Sequence, residues 1–455
     1  MHLSIFLAAL PLVPGGLSQK QTTPETAQRD YEARAAKYVV KIKSDQNDTL
    51  NQIISSISVK PDYTYRHAFT GFAGPLTDEE KTKLKSDPRV ADVEDDGYIR
   101  QPVDEATSTK EPINVQDDEL DYTLVGYEPR IIERGTAEGY VKKEDIEGPE
   151  GQRSELKALW YYLFPKSKPG VMITEKKHVP WNLARISNLK ANHTWYTYDE
   201  RAGSGTCVYV LDSGLDDKLD EFKGRAEMIE HFWNDGGNRS HGTFVSGIIG
   251  SKTYGVAKNT TLLGMQVVNR EGGGSKARVI NAMDFVIGDA PTRHEQCPKG
   301  VAVYIPLTGS YSPLVNEGAR KVVNSGYFLV VSAGNGGQDA AKKSPASEPL
   351  ACTVGATTRG DAIAEFSNWG SSIDVLAPGT GIRSVVPGGR AETHRGDVSY
   401  AGAHVAGLGA YFMGMGRSAD GLCDFIKSEA TSNILELGPY PKNLTPNRLI
   451  NNGFR

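Results

Sequence analysis

One serine in this sequence has the surroundings of a nucleophile. Ser399 lies in the run Asp397-Val-Ser-Tyr-Ala-Gly-Ala-His404, where small residues and an amphipathic stretch predict a helix that begins near the serine. At a helix N-terminus, unpaired backbone N–H groups and the positive end of the helix dipole favour a developing oxyanion. The residue type and its position therefore predict a serine that attacks a carbonyl group.

Three other polar residues could act with this serine. Asp212 follows the apolar run Cys207–Leu211, where a carboxylate is well placed to orient an imidazole. His241 opens the helix-like run 241–250 beside glycines that allow close backbone approach. Asn335 follows another apolar run, and its amide could donate to an oxyanion. Each signal alone is weak, but the four together, in the order Asp, His, Asn and Ser, predict a serine hydrolase.

The elements around these residues alternate between short apolar runs and helix-length segments. Strands are predicted at Cys207–Leu211, Leu262–Val268, Tyr327–Ser332 and Ala351–Gly355, with a helix at Ala277–Ile287. Continuous apolar strands between helices are typical of a parallel sheet that is covered on both faces. In such α/β sheets the functional site lies at the C-terminal ends of the strands, which is where the polar residues occur.

The chain divides into four segments. Residues 1–18 are apolar and end in small residues, which predicts a signal peptide, although the segment has no Lys or Arg. Residues 19–100 contain a small α+β unit over 38–100, with strands at 38–43, 71–76 and 90–94 and a capping box at Thr77–Glu80. Residues 101–176 form an acidic linker or insertion, with 14 acidic and five basic residues in 101–150. Residues 177–455 form the large domain.

Composition limits the function classes. The chain has 455 residues and a net charge of −5, which argues against nucleic acid as a partner. No stretch after the signal peptide is long and apolar enough to span a bilayer, so we expect a secreted, extracellular protein without a membrane partner.

The wide spacing of the four cysteines disfavours a zinc site, and three disulfide connectivities are possible. Glycosylation sequons that fit secretion occur at Asn47, Asn192, Asn238, Asn259 and Asn443.

Residues from about 179 onward resemble the subtilisin-like serine proteases (subtilases), in particular the proteinase K branch. The resemblance extends over most of the domain, through the runs at 179–187, 250–258, 282–286, 297–301, 344–349, 366–370 and 404–408. Residues 38–100 are similar to the inhibitor-type propeptide of these enzymes. The resemblance implies a three-layer α/β fold with a mainly parallel sheet, preceded by a ferredoxin-like propeptide that acts as an intramolecular inhibitor.

The resemblance also assigns roles. It implies that Ser399 is the nucleophile, His241 the general base and Asp212 the residue that orients it, with the Ser399 N–H and Asn335 as the oxyanion hole. The substrate peptide would bind between two backbone edges, Gly272-Gly273-Gly274 and Pro306-Leu307-Thr308-Gly309. The resemblance pairs Cys207 with Cys297 and Cys352 with Cys423. It implies a structural Ca²⁺ ion held by the Pro349 and Ala351 carbonyls and the Asp374 carboxylate. It also implies a monomer that acts on protein or peptide substrates.

The motif around Ser399 departs from the family pattern. The family has Gly-Thr-Ser-Met-Ala where this chain has Asp397-Val-Ser399-Tyr-Ala401. A carboxylate near the oxyanion would cost about 2–3 kcal/mol of transition-state stability, but little if it points to solvent. A residue with positive φ at this position would also be strained. Two interpretations follow: an autoprocessed secreted endopeptidase, or a weakly active or inactive pseudoprotease with a peptide-binding or regulatory role.

Overall fold

A computed structural model describes residues 38–43, 47–58, 60–101, 128–130, 171–233, 235, 237–438 and 444–454. The predicted signal peptide, Asn443 and nearly all of the acidic segment lie outside the described residues. From that segment, the structure describes Gln101, the short strand 128–130 and residues 171–176. Among the described residues, no helix has the length and apolar character needed to cross a bilayer.

The N-terminal unit has the ferredoxin-like order that the sequence predicts. Its antiparallel sheet has the strand order β2-β3-β1-β4, and the capping box at Thr77 and Glu80 is present. A small core of its own, centred on Phe72, lies between the sheet and its two helices. The elements are β1 Tyr38–Ile42, α1 Asn47–Ile54, β2 Tyr63–Tyr65, β3 Gly71–Gly74, α2 Asp78–Ser86 and β4 Val90–Asp95. A fifth strand, β5 Tyr98–Arg100, leaves this unit and joins the large domain.

The large domain is built on a nine-stranded sheet with the order β10-β11-β9-β13-β15-β17-β18-β22-β21. All neighbouring strands are parallel except the last pair. The strands of this domain are β6 Glu128–Arg130, β7 Met172–Glu175, β8 Tyr196–Asp199, β9 Thr206–Asp212, β10 Ala226–His231, β11 Thr261–Gln266, β12 Gly273–Ser275, β13 Gly300–Ile305, β14 Thr308–Ser310, β15 Phe328–Ser332, β16 Lys343–Ser344, β17 Cys352–Thr357, β18 Val375–Pro378, β19 Thr380–Val385, β20 Ala391–Gly396, β21 Thr431–Ser432 and β22 Arg448–Leu449.

Helices cover both faces of this sheet, which explains the continuous apolar strands. The helices are α3 Trp181–Ile186, α4 Ser240–Gly250, α5 Lys276–Asp289, α6 Pro313–Asn324, α7 Val398–Gly414 and α8 Leu422–Glu429. Strand β9 sends Val208 and Val210 into the core under α4 and α7, and Tyr209 and Leu211 into the core under α5 and α6. Each of its seven residues is buried. The N-terminal unit packs on α5 and α6 through residues that include Tyr65 and Phe69.

Strand β5 lies between β12 and β14 in a separate antiparallel sheet. Arg100 pairs with both Gly273 and Thr308, and Ile99 is 1% exposed. These two edges are the ones that the sequence predicts to bind an extended peptide. The N-terminal unit thus places its own last strand where a substrate strand is expected.

The two disulfides have the pairing that the resemblance implies. Cys207 on β9 is bonded to Cys297, and Cys352 on β17 is bonded to Cys423 on α8. All four thiols are in disulfides. Both bonds tie the central sheet to the elements around it.

Candidate active site

Asp212 and His241 are in direct contact. Asp212 is the last residue of β9, His241 is the second residue of α4, and His241 Nδ1 lies 2.7 Å from Asp212 Oδ2. The other carboxylate oxygen accepts from the Ser213 N–H at 2.5 Å. Because the carboxylate is held on both oxygens and its side chain is 1% exposed, it fixes the orientation of the imidazole.

A glycine allows α4 to approach β9 this closely. A Cβ atom on Gly242 would lie 2.0 Å from the Gly214 carbonyl oxygen, and 3.2 Å from Asp212 Oδ1. Any side chain here would therefore push the helix start away from the strand end. This is the close backbone approach that the sequence predicts beside His241.

Ser399 is the second residue of α7 and is buried. The Tyr304 hydroxyl donates to the Ser399 carbonyl oxygen at 2.5 Å and lies 3.2 Å from Ser332 Oγ. Strands β13 and β15 thus fix the backbone of the serine. Among the described residues, neither Ser399 Oγ nor His241 Nε2 has a hydrogen-bond partner.

Asn335 lies three residues after β15, next to the start of α7. Its Oδ1 accepts from the Val398 N–H at 2.9 Å. Because the oxygen is used in this way, the N–H₂ end of the amide is the one that can donate to a bound oxyanion. The role of Asn335 in an oxyanion hole stays a prediction.

Asp397 lies between these groups and does not point to solvent. It is the N-cap of α7, it is 2% exposed, and its Oδ1 accepts from the Ser399 N–H at 2.7 Å. Its Oδ2 is 3.7 Å from His241 Nε2. The solvent-facing alternative is therefore wrong. So is the alternative of backbone strain, because Asp397 has an extended φ of −162°.

The two carboxylates change the electrostatics of His241. Burial alone lowers the pKa of this imidazole, but Asp212 and Asp397 outweigh it and raise the pKa to about 10. A raised pKa favours the protonated form of His241, which cannot accept a proton from Ser399. The neutral form, which can act as the base, is favoured on the alkaline side.

The predicted peptide-binding edges surround β5. Gly272 has a φ of +79°, and its carbonyl oxygen accepts from the Gln101 N–H at 3.0 Å. Gly273 and Gly274 form β12, whereas Pro306 and Leu307 lead into β14, which contains Thr308 and Gly309. Thr308 Oγ1 is buried without a hydrogen-bond partner among the described residues and is close to Gly334.

The three predicted calcium ligands line one cavity. Pro349, Ala351 and Asp374 lie around it together with Lys427. Lys427 Nζ is 3.1 Å from Asp374 Oδ1, and the Thr353 N–H donates to Oδ2 at 2.9 Å. Oxygen donors suit calcium, but an ammonium already takes one carboxylate oxygen. As arranged here, the donor set does not fit the ion.

Four of the five sequon asparagines are described, and all four are exposed: Asn47, Asn192, Asn238 and Asn259. Asn238 Nδ2 donates to the Arg270 carbonyl at 3.1 Å, close to the start of α4. Exposure is necessary for a glycan but does not establish one, so these sites stay predictions.

Sequence reasoning did not find three residues of the site. Gln101 Nε2 donates to Asp212 Oδ1 at 2.5 Å, Tyr304 holds the Ser399 carbonyl, and Lys427 pairs with Asp374. None of these lies in a recognisable motif. The cap formed by Asp397 did leave a signal, because Asp directly before a helix is a preferred N-cap.

Comparisons with known proteins agree with this architecture. The subtilase family model matches residues 203–418, and the peptidase inhibitor I9 model matches residues 20–100. Proteinase T of Parengyodontium album is 46% identical over 61% of this chain and 94% of its own length. A cuticle-degrading protease of Metarhizium anisopliae is 36% identical over 96% of both chains.

A solved structure leads to the same assignment. The crystal structure of a cold-adapted subtilisin-like serine proteinase aligns with a TM-score of 0.54 and 30% identity, over 61% of this chain and 99% of its own. The chain belongs to the subtilase family. It is a subtilisin-like serine endopeptidase with an inhibitor-type propeptide, as found in zymogens.

Proposed function

We propose that the protein is a secreted endopeptidase in which Asp212, His241 and Ser399 form the catalytic triad, and which processes its own propeptide. The observation that carries the proposal is the 2.7 Å contact between His241 and Asp212 next to the buried Ser399 at the start of α7. Three elements from distant parts of the chain bring these residues to the C-terminal end of the sheet.

In the proposed mechanism each residue has one role. Ser399 Oγ attacks the substrate carbonyl carbon while His241 Nε2 takes its proton, and Asp212 stabilises the imidazolium. The carbonyl electrons move to the oxygen, which Asn335 Nδ2 and the Ser399 N–H bind. Collapse breaks the peptide bond, and the imidazolium gives its proton to the leaving amine. Water then hydrolyses the acyl-enzyme by the same transfers.

The substrate is an extended peptide. Strand β5 already binds between β12 and β14, so a substrate strand would replace it there by main-chain hydrogen bonds. We propose that the propeptide inhibits in this way and that Gln101 adds a contact to Asp212.

Maturation would cut the chain between about residues 100 and 178. The glycans and the monomeric state stay predictions, and calcium would bind only in a form where Lys427 has turned to Asp424.

The test is turnover of fluorogenic peptides by the secreted product of the full chain, compared with Ser399→Ala. We expect cleavage by the wild type and a loss of at least about 10³-fold in the variant. The alternative, a peptide-binding pseudoprotease, is favoured by the position of Asp397. It would be supported by peptide binding with equal, background turnover in both forms.

A further inference from the structure

We propose that the Asp397 carboxylate occupies the oxyanion hole and holds the enzyme in a resting state, so that turnover requires this carboxylate to leave the site. The proposal rests on the triad of the proposed function. It concerns a residue that the family pattern does not predict, because the family has glycine at this position.

The first step of the argument is the hydrogen bond from Ser399. The Ser399 N–H is one of the two donors that a tetrahedral intermediate needs, and it points at Asp397 Oδ1 at 2.7 Å. A substrate oxyanion would have to lie about 3 Å from the same hydrogen. Two oxygens cannot both occupy that position, so the carboxylate and the oxyanion exclude one another.

The second step is charge. Asp397 is 2% exposed, so solvent screens its carboxylate poorly, and Oδ2 lies 3.7 Å from His241 Nε2. The imidazole therefore lies between two carboxylates, which stabilise its protonated form. A protonated His241 cannot accept the Ser399 proton. The other titratable groups around this centre are Asp212 on β9, Tyr304 on β13, Glu392 and His394 on β20, and Tyr400 on α7.

Acid does not release this state. Lowering the pH leaves His241 protonated, so the base that must accept the Ser399 proton is missing. Raising the pH removes the His241 proton, and Asp397 loses its charged partner. The resting state therefore weakens on the alkaline side, in keeping with the raised pKa of His241.

Asp397 also caps α7, so the test must separate the effect of its charge from the effect of its capping hydrogen bond. Asn is as good an N-cap as Asp but carries no charge, whereas Gly also removes the side chain. Ser312→Ala is the matched control, since Ser312 is the buried N-cap of α6 and accepts from the Val315 N–H. A purely structural role predicts that Asp397→Asn behaves as wild type.

One experiment needs no turnover. The low-field proton resonance of His241 is titrated by NMR in the full chain carrying Ser399→Ala, with and without Asp397→Asn. We expect the substitution to lower the His241 pKa by at least about one unit, because an opposite charge within 4–6 Å shifts a pKa by 1–3 units. An unchanged His241 titration overturns the proposal, whatever the activity.

A second experiment measures how strongly the oxyanion hole binds an anionic group. For the secreted product at pH 8, we expect Asp397→Gly to raise kcat at least about tenfold with little change in KM, and Asp397→Asn to raise kcat less, because the amide oxygen of Asn still accepts from the Ser399 N–H. A peptide boronate, which forms an anionic tetrahedral adduct with the serine, should gain affinity by a similar factor. A neutral peptide amide should bind all forms equally, and Ser312→Ala should leave kcat unchanged.

The outcomes separate this proposal from the proposed function. Equal kcat and equal boronate affinity in wild type and Asp397→Gly would overturn the resting state and leave the endopeptidase intact. A shifted His241 titration without turnover in any form would support the contact at Asp397 and overturn the endopeptidase function.

Discussion

The pair Lys427–Asp374 predicts how this protein responds to calcium. The substitution Lys427→Met removes the ammonium that lies 3.1 Å from Asp374 Oδ1 and 2.6 Å from Asp424 Oδ1. Asp424 is 80% exposed, so its loss of a partner costs little. Asp374 is 21% exposed, and burial raises its pKa, so it would be left as a poorly solvated carboxylate.

We expect Lys427→Met to lower the free energy of unfolding by about 1–2 kcal/mol, which lies between the values for exposed and for buried ion pairs. For a domain of this size, that corresponds to roughly 2–6 °C in Tm. In Lys427→Met the carboxylate is also available to calcium. With a Kd of about 10⁻⁴ M, calcium at 100 times that value would restore about 2.7 kcal/mol.

The assay is thermal unfolding of the secreted protein in EDTA and in 10 mM calcium. We expect the wild type to respond little, and Lys427→Met to be destabilised in EDTA and rescued by calcium. Lys342→Met is the control, since Lys342 is exposed and makes no ion pair with a described residue. A wild-type Tm that rises with calcium as much as that of Lys427→Met would refute this reasoning.

Three further predictions concern the site and the sheet. Tyr304→Phe should lower kcat about tenfold with little change in KM, because the Ser399 carbonyl loses its donor; steady-state kinetics and unaltered circular dichroism would check this. Thr308 lies on the predicted substrate-binding edge β14, so Thr308→Gly should raise kcat/KM for peptides with large side chains before the cut bond relative to small ones, measured with a peptide series; a uniform change would count against a role of this side chain in substrate selection. Replacing Cys207 and Cys297 by serine should cost about 3–5 kcal/mol in denaturant unfolding, because the bond closes a loop of about 90 residues.

Local sequence patterns predicted most of the fold. Strand β9, helix α5 and the capping box of α2 lie within a few residues of their predicted positions, because each has a strong apolar period or cap signal. The order Asp212, His241, Asn335 and Ser399 predicted the site, since each residue lies at the end of a strand, shortly after one, or at the start of a helix. The disulfide pairing came from resemblance, because spacing alone leaves three connectivities open.

The contacts between distant elements could not be predicted in this way. Gln101 and Asp212 are 111 residues apart, and only the packing of β5 brings them together. Whether Asp397 faces solvent or the site depends on its side-chain orientation, which no periodicity encodes. Lys427 likewise reaches Asp374 through the packing of α8 against the sheet, and its own helix has no pattern that indicates this contact.

Covalent labelling of Ser399 tests the central claim most directly. The full chain is secreted and incubated with a serine-directed fluorophosphonate across pH 7–11, and the adduct is located by peptide mass spectrometry. We predict one adduct on Ser399 that forms faster toward pH 10, as His241 loses its proton, and that His241→Ala abolishes. No adduct at any pH, or an adduct on another serine, would contradict the assignment of Ser399 as the nucleophile.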